Sequence, residues 1–300
     1  MKLYAATTWY NPTISEMKNI LTYSDYFEKL YIYDNSPSRT DISKIFDEKT
    51  LSKIDYRNTG KNIAMGAFSI ILKEAVDENA DFILTMDQDT WFDKEDIERY
   101  INRVETTPSD DIALFNASYN GYYLKKDTYS KKIATASNMV NLHNYKLLLD
   151  KWSDGGYNER LFIDHVDYDL DYQFYKIGKK ILNFKDVKVH QQFGTTVRRK
   201  FLFLDLSYRT YSPIRYYYTE RNYIYLQRKY RKEGNGSFFG FRRHFIHYPS
   251  VAIKMFLLRE ENYKEKIKMM RLGRKHGKKG CLGTIEEATA EYNRLMAIKA

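Results

Sequence analysis

The residues of this chain best suited to chemistry are acidic and fall in three places: Asp34, the triplet Asp87-Gln88-Asp89, and a cluster holding Asp164, Asp167, Asp169 and Asp171. The triplet closes the apolar run Phe82-Ile83-Leu84-Thr85-Met86. Its two carboxylates therefore stand where a strand opens into a cleft, and ligands of open α/β sheets gather outside the carboxyl ends of strands. With a turn over Thr90-Trp91-Phe92-Asp93, one carboxylate could reach a divalent cation and the other a nucleotide sugar. Alone the pattern is weak, because acid pairs at strand ends are common and usually solvated.

Asp164, Asp167 and Asp171 are spaced three and four apart and would share one helix face. Clustered acids repel, which raises the pKa of at least one of them and suits a general base. The competing reading is a solvated helix start favoured by the macrodipole. Two polar turns, Thr8-Trp9-Tyr10-Asn11-Pro12 and Asp34-Asn35-Ser36, could hold a base and ribose, although a plain turn is the better reading of Asn35-Ser36. Asn58-Thr59-Gly60-Lys61-Asn62 precedes a helix and could offer N–H groups and Lys61 to a diphosphate, or Gly60 could simply make a turn. His190 is either a metal or diphosphate ligand or a histidine ending a buried strand.

Positioning these groups requires alternating strands and helices. Strands are expected at 3–8, 29–33, 53–56 and 82–86, and helices at 14–22, 63–76 and 94–104. That order implies a mostly parallel sheet flanked by helices. A second block holds a strand at 133–140, a helix at 144–151, a Gly155-Gly156 turn, an acidic helix over 164–175 stopped by Gly178, and an extended pair at 180–183 and 187–190. After Gly194 the chain turns basic and aromatic. Pro213 starts a helix over 214–231, and a second helix over 251–272 is capped by Gly273 ahead of the cationic run Arg274-Lys275-His276-Gly277-Lys278-Lys279.

Composition narrows the class. Twenty-eight tyrosines with few prolines and glycines exclude a disordered or fibrous chain, and the length allows one large domain with an appendage. The single Cys281 excludes an internal disulfide framework and fits a reducing compartment. Met1-Lys2-Leu3-Tyr4 already reads as a strand rather than a signal peptide, and no window is apolar enough to span a bilayer. A cytoplasmic location, peripheral at the inner face of the cell membrane, is expected. Residues 201–300 carry 21 Lys and Arg against 9 Asp and Glu, which more than accounts for the whole chain's net charge of +10. A near-neutral body with a cationic extension, and no recognisable reading module, argues against a nucleic-acid partner.

Taken together, the motifs resemble family 2 glycosyltransferases, near the bacterial rhamnosyltransferase-like branch. The matching stretches are Thr7-Thr8-Trp9-Tyr10-Asn11-Pro12, Tyr33-Asp34-Asn35-Ser36, Asn62-Ile63-Ala64, Met86-Asp87-Gln88-Asp89-Thr90, Phe162 to Leu170 and Val189-His190-Gln191-Gln192-Phe193-Gly194, with Arg221-Asn222 as a weaker match. The resemblance implies a GT-A fold over residues 1–196, a Rossmann-like sheet flanked by helices, and a mainly helical basic extension over 197–300. It also implies a nucleotide-diphosphate sugar donor, Mn²⁺ or Mg²⁺, and inversion at the anomeric carbon. Thr8, Tyr10, Asp34, Asn62, Asp87 and Arg221 would then bind the donor, and Asp89 and His190 the metal. Asp167 would be the catalytic base, with Asp164 the second candidate. The branch makes dTDP-rhamnose the first donor, with a UDP-hexose or UDP-galactofuranose second. The implied acceptor is a lipid-linked saccharide or growing cell-surface polysaccharide of a capsule or cell wall. The chain departs from the family at three places: Ala64 and Asn138 replace usual glycines, and Gln173 replaces a usual arginine.

The basic third interleaves Arg198 to Lys200, Arg242-Arg243 and Arg271 to Lys279 with Phe201, Phe203, Phe238, Phe239, Phe241 and Phe245. Such a surface could attach to an anionic membrane, serve the acceptor or join a homodimer. A solvated helix packed by its aromatic face is the alternative, and the better one for Tyr216 to Tyr225. The rival from another class is a non-catalytic membrane- or polyanion-binding protein, against which the set Asp87, Asp89 and Asp167 argues.

Overall fold

A computed structural model describes residues 1–119, 125–133, 136–192, 195–201, 204–238, 242–258 and 260–298. Phe193, Gly194, Phe203, Phe239 and Phe241 of the expected motifs lie outside the described residues, as do the side chains of Arg199, Lys200, Phe201, Arg242, Arg243 and Phe245. The chain forms two compact units, residues 1–159 with 167–192, and residues 160–166 with 193–300. No helix among the described residues is long and apolar enough to cross a membrane.

In the first unit, nine strands make one sheet: β1 (Leu3–Trp9), β2 (Lys29–Asp34), β3 (Ile54–Asn58), β4 (Phe82–Asp87), β5 (Thr90–Trp91), β6 (Ile112–Tyr119), β7 (Thr128–Ser130), β8 (Asn138–Asn141) and β9 (Lys180–Gln191). Their order is β3-β2-β1-β4-β8-β6-β9-β5, with β7 also on β9. The first four run parallel, β6 and β9 run parallel, and β8 lies antiparallel between β4 and β6. Strands β1 and β4 are almost wholly buried, as the centre of a sheet covered on both faces requires. Helices α1 (Ile14–Lys18), α2 (Glu48–Leu51), α3 (Gly66–Asp77), α4 (Lys94–Thr106), α5 (Leu142–Lys151) and α6 (Val166–Lys176) link the strands. A capping box of Thr13 and Glu16 starts α1. Trp9, Leu84, Met86, Tyr100, Phe115 and Phe184 lie together in one hydrophobic core.

Several elements differ from expectation. The helix expected over 14–22 is α1 followed by a 3-10 turn, Asn19–Thr22. The extended pair near 180–190 is one continuous strand, β9. The strand expected over 133–140 is described from Asn138 onward, residues 134 and 135 lying outside the described set. Strand β6 has no counterpart among the expected strands. Polar Asn116 and Ser118 interrupt its apolar run, yet both are buried and bonded, Asn116 to Asn138 at 2.6 Å and Ser118 to the Phe184 carbonyl at 3.2 Å.

The second unit holds the antiparallel pair β10 (Thr195–Phe201) and β11 (Leu204–Thr210), then α7 (Pro213–Lys232), α8 (Arg242–Leu257), α9 (Tyr263–Lys279) and α10 (Ile285–Ala297). Pro213 opens α7 as expected. The single helix expected over 251–272 is two, broken before α9 by the left-handed Asn262. Gly273 does not cap a helix. A Cβ there would come within 2.3 Å of the Tyr217 carbonyl oxygen, and one at Gly277 within 2.3 Å of the Arg221 carbonyl oxygen. These two glycines let α9 lie directly on α7, and Gly280, at φ 77°, closes the helix instead.

Candidate active site

Strand β4 ends at Asp87, and the chain turns through Gln88 and Asp89 into β5, which pairs with the end of β9. This brings Gln191 to the triplet. Its Nε2 donates to Asp87 Oδ2 at 2.8 Å and to Asp89 Oδ1 at 3.3 Å. Gln88 points elsewhere, its Oε1 accepting from the Tyr10 N–H and its carbonyl from the Asn19 amide, both at 2.8 Å. Gln88 thus pins the loop after β1, while the two acids meet Gln191. Burial raises the Asp89 carboxyl above its usual range, and the Gln191 bond opposes the rise. A cation would stabilise such a carboxylate, and hard oxygen donors suit Mg²⁺ or Mn²⁺. Among the described residues no three His, Cys, Asp or Glu side chains group as a metal site. Two carboxylates would fit a cation whose remaining ligands are phosphate and water oxygens, the usual arrangement for Mg²⁺.

His190, expected beside Asp89 as a ligand, has another setting. Its ring stacks on Trp91 at 5.2 Å, and Nε2 lies 2.9 Å from Asp93 Oδ2, which engages one of the two nitrogens a metal could use.

At the nucleoside end, Asp34 is fully buried. Its Oδ2 accepts from the Tyr56 hydroxyl at 2.6 Å and from Thr40 Oγ1 at 3.0 Å, and its Oδ1 from the Ser36 N–H at 2.9 Å. The Asn58 amide donates to the carbonyls of Asp34 and Ser36, and Asn35 Oδ1 accepts from the Ile63 N–H. The turn is therefore knit by its own polar groups. Thr8 lies between Tyr33 and Asp87 in the sheet register, and Tyr10 is 50% exposed above it. Exposed Asn62 accepts from the Ala64 N–H at 2.9 Å. Ala64 itself has φ 46°, a left-handed conformation that costs a non-glycine residue about 1–2 kcal/mol.

Helix α6 begins at Val166, so Asp164 precedes it and the expected three-acid face does not form. Phe162, Asp164 and His165 are all left-handed, with φ between 62° and 65°. In the second unit, Asp164 is gripped by Arg215 at 2.7 and 3.0 Å and by Thr219 at 3.2 Å; burial raises its carboxyl and Arg215 opposes the rise. A carboxylate so engaged is poorly suited to serve as a base. Arg221, expected at the donor, is fully buried and donates to the carbonyls of Leu161 and Gly283. Asn222 donates to those of Leu161, Ile163 and Asp164. This Arg-Asn pair secures the strained segment that leads covalently to Asp167; its role in this structure is scaffolding.

Asp167 and Asp171 do share α6. Asp167 is half-buried, and its Oδ1 accepts from the Tyr168 N–H at 2.9 Å. Asp171 is buried and accepts from the Ile133 N–H at 2.7 Å. Burial lifts the Asp171 carboxyl well above the usual range, and the charge of Asp167 lifts it further. Tyr119 at the end of β6 connects the two acidic groups: desolvation raises its phenol, and the charges of both Asp87 and Asp167 add to the rise. The triplet and the acidic helix therefore border one neighbourhood.

No family model and no curated protein matches the sequence. Solved structures do match. S. aureus TarS 1-349 shares 15% identity at a TM-score of 0.50, over 93% of this chain and 92% of that one. GalNAc-T7, solved with UDP, GalNAc and Mn²⁺, shares 12% identity at a TM-score of 0.53, over 84% of this chain and 57% of that one. Both are GT-A glycosyltransferases. This chain has the GT-A fold.

Within the GT-A unit, three residues without an expected role shape the site. Gln191 lay inside a matched motif but carried no assignment, because the pairing of β5 with β9 that brings it to the acids is not visible in sequence. Tyr56 holds Asp34 from a neighbouring strand. Gln173, where arginine was expected, is buried and clamps Gly156 with two bonds of 2.8 Å, to its N–H and its carbonyl. Gly156, at φ 90°, has no room for a side chain, since a Cβ would fall 2.2 Å from Tyr145 Oη.

Proposed function

We propose that this chain is an inverting, metal-dependent glycosyltransferase that moves a sugar from a nucleotide diphosphate to an acceptor hydroxyl. The observation that carries the reading is the convergence of Asp87 and Asp167 on Tyr119 in a GT-A fold. It supports a reading in which a donor-side and an acceptor-side carboxylate serve one reaction. Asp167 takes the proton of the acceptor hydroxyl as that oxygen bonds to the anomeric carbon, and the bond to the diphosphate breaks with its electrons leaving on phosphate. Attack from the face opposite the leaving group inverts the centre. Asp87 contacts the ribose or sugar side, and Asp89 would hold Mn²⁺ or Mg²⁺, which when bound supplies positive charge for the departing diphosphate.

The matched motifs support family 2 membership, dTDP-rhamnose as donor and a lipid-linked or growing cell-surface polysaccharide as acceptor, with work at the inner membrane face. A uridine donor is the second reading, favoured by the UDP and Mn²⁺ bound to GalNAc-T7. Nucleotide release from dTDP-rhamnose, UDP-hexoses and UDP-galactofuranose, each with and without Mn²⁺, tests both. Metal-dependent release from one donor is expected; no release from any of them contradicts the reading.

A further inference from the structure

Helix α9 presents a basic stripe. Lys264, Lys268, Arg271, Lys275, Lys278 and Lys279 are all exposed and follow the helical repeat along one face. The opposite face is occupied, since Met270 and His276 are buried and Gly273 and Gly277 lie on the backbone of α7. None of the five lysines has an ion-pair partner among the described residues, and within the stripe's span only Glu265 is an exposed acid.

Helix α8 ends in an exposed apolar trio: Ile253 at 56%, Phe256 at 60% and Leu257 at 50% exposure, spaced three and four apart on one face. The Phe256 ring meets the Tyr263 ring edge-on at 5.9 Å, which joins the trio to the start of α9. Large apolar side chains grouped on a surface mark a place of contact. A soluble polyanion would satisfy the lysines and leave the trio in water. An anionic bilayer satisfies both, with headgroups taking the lysines and the interfacial layer taking the trio.

We propose that the basic stripe of α9 and the apolar end of α8 form a docking surface for an anionic lipid bilayer. The proposal rests on the transferase reading for its purpose, bringing the enzyme to a lipid-linked acceptor, but the docking itself stands on this surface alone. The test is co-sedimentation of the full chain with phosphatidylcholine vesicles, with and without phosphatidylglycerol, at low and high salt. Binding is expected only to the anionic vesicles, and it weakens as salt rises. Replacing Lys264, Lys268 and Lys275 together by Gln should weaken binding about a hundredfold, at about fivefold per charge. The combined Ile253→Ser, Phe256→Ser, Leu257→Ser variant should lose binding at every salt concentration.

Absent binding of the unaltered chain, or binding insensitive to salt, overturns the proposal without recourse to any variant. Wild-type binding by the lysine variant, with folding confirmed by circular dichroism, overturns it too. Full competition by soluble polyphosphate, with the serine variant binding normally, assigns the surface to polyanions instead. Donor turnover in solution should be unchanged in both variants. Its absence from the unaltered chain refutes the transferase reading and leaves the vesicle result standing.

Discussion

Replacing Gln173 by leucine should destabilise the first unit selectively. Gln173 accepts from the Gly156 N–H and donates to the Gly156 carbonyl, both at 2.8 Å, and is buried. Leucine has nearly the same volume, so the packing loss is small. Two backbone groups lose their partner in a place water does not reach easily, at about 1–3 kcal/mol each, or about 2–6 kcal/mol together. With a urea slope of about 2–3 kcal/mol/M, the unfolding midpoint should fall by about 1–3 M. Trp9, Trp91 and Trp152 all lie in the first unit, so tryptophan fluorescence reports its unfolding directly. Because the clamp ties α6 to the Gly155-Gly156 turn, kcat should also fall while donor affinity changes little. A midpoint equal to that of the unaltered chain would refute the reasoning and return Gln173 to a role in ligand contact.

Further outcomes follow from other contacts. Asp171→Asn should retain the bond from Ile133 and remove a titrating group whose folded pKa is raised. The native Asp171 stabilises fully below its unfolded pKa and loses that contribution as pH rises through the folded pKa, so the melting-temperature advantage of the variant should grow upward from about pH 4. A shrinking advantage contradicts the assignment. Gly277→Ala places a Cβ 2.3 Å from the Arg221 carbonyl oxygen, so α9 must move off α7, at about 1–3 kcal/mol of overpacking; calorimetry should show the loss. Tyr56→Phe removes one of three donors to Asp34, lowering stability by about 1 kcal/mol. If the donor's base displaces Tyr56, donor KM should fall; an increase would show that Tyr56 itself contacts the donor.

The sheet was legible where hydrophobic runs were continuous. Strands β1, β2 and β4 are largely buried and mostly apolar because they are covered on both faces. Strand β6 was not, since Asn116 and Ser118 read as a break until the partners on β8 and β9 are known. The acidic triplet was visible as a motif, but its orientation depends on Gln191, about a hundred residues away in sequence, and no local pattern encodes that pairing. Asp164 shows the limit of periodicity: helical spacing placed it beside Asp167, whereas three left-handed residues delay the helix and send Asp164 to Arg215. The resemblance carried Arg221 to the donor through its weakest motif, yet its guanidinium serves backbone carbonyls. Gly273 read as a cap because it follows an apolar helix; its lack of a side chain instead serves contact with α7. The capping box of Thr284 and Glu287 did mark the start of α10 in sequence, although no helix was expected there.

In the proposed reaction Asp167 removes the acceptor proton while other residues hold the donor. The most direct test compares Asp167→Asn with the unaltered chain, measuring sugar transfer to acceptor and, separately, donor binding by calorimetry in the presence of Mn²⁺. Transfer should fall by about 10²–10⁴-fold, the usual contribution of a general base, with donor affinity essentially unchanged. Transfer at the wild-type rate, or loss of donor binding in step with activity, would contradict that role for Asp167.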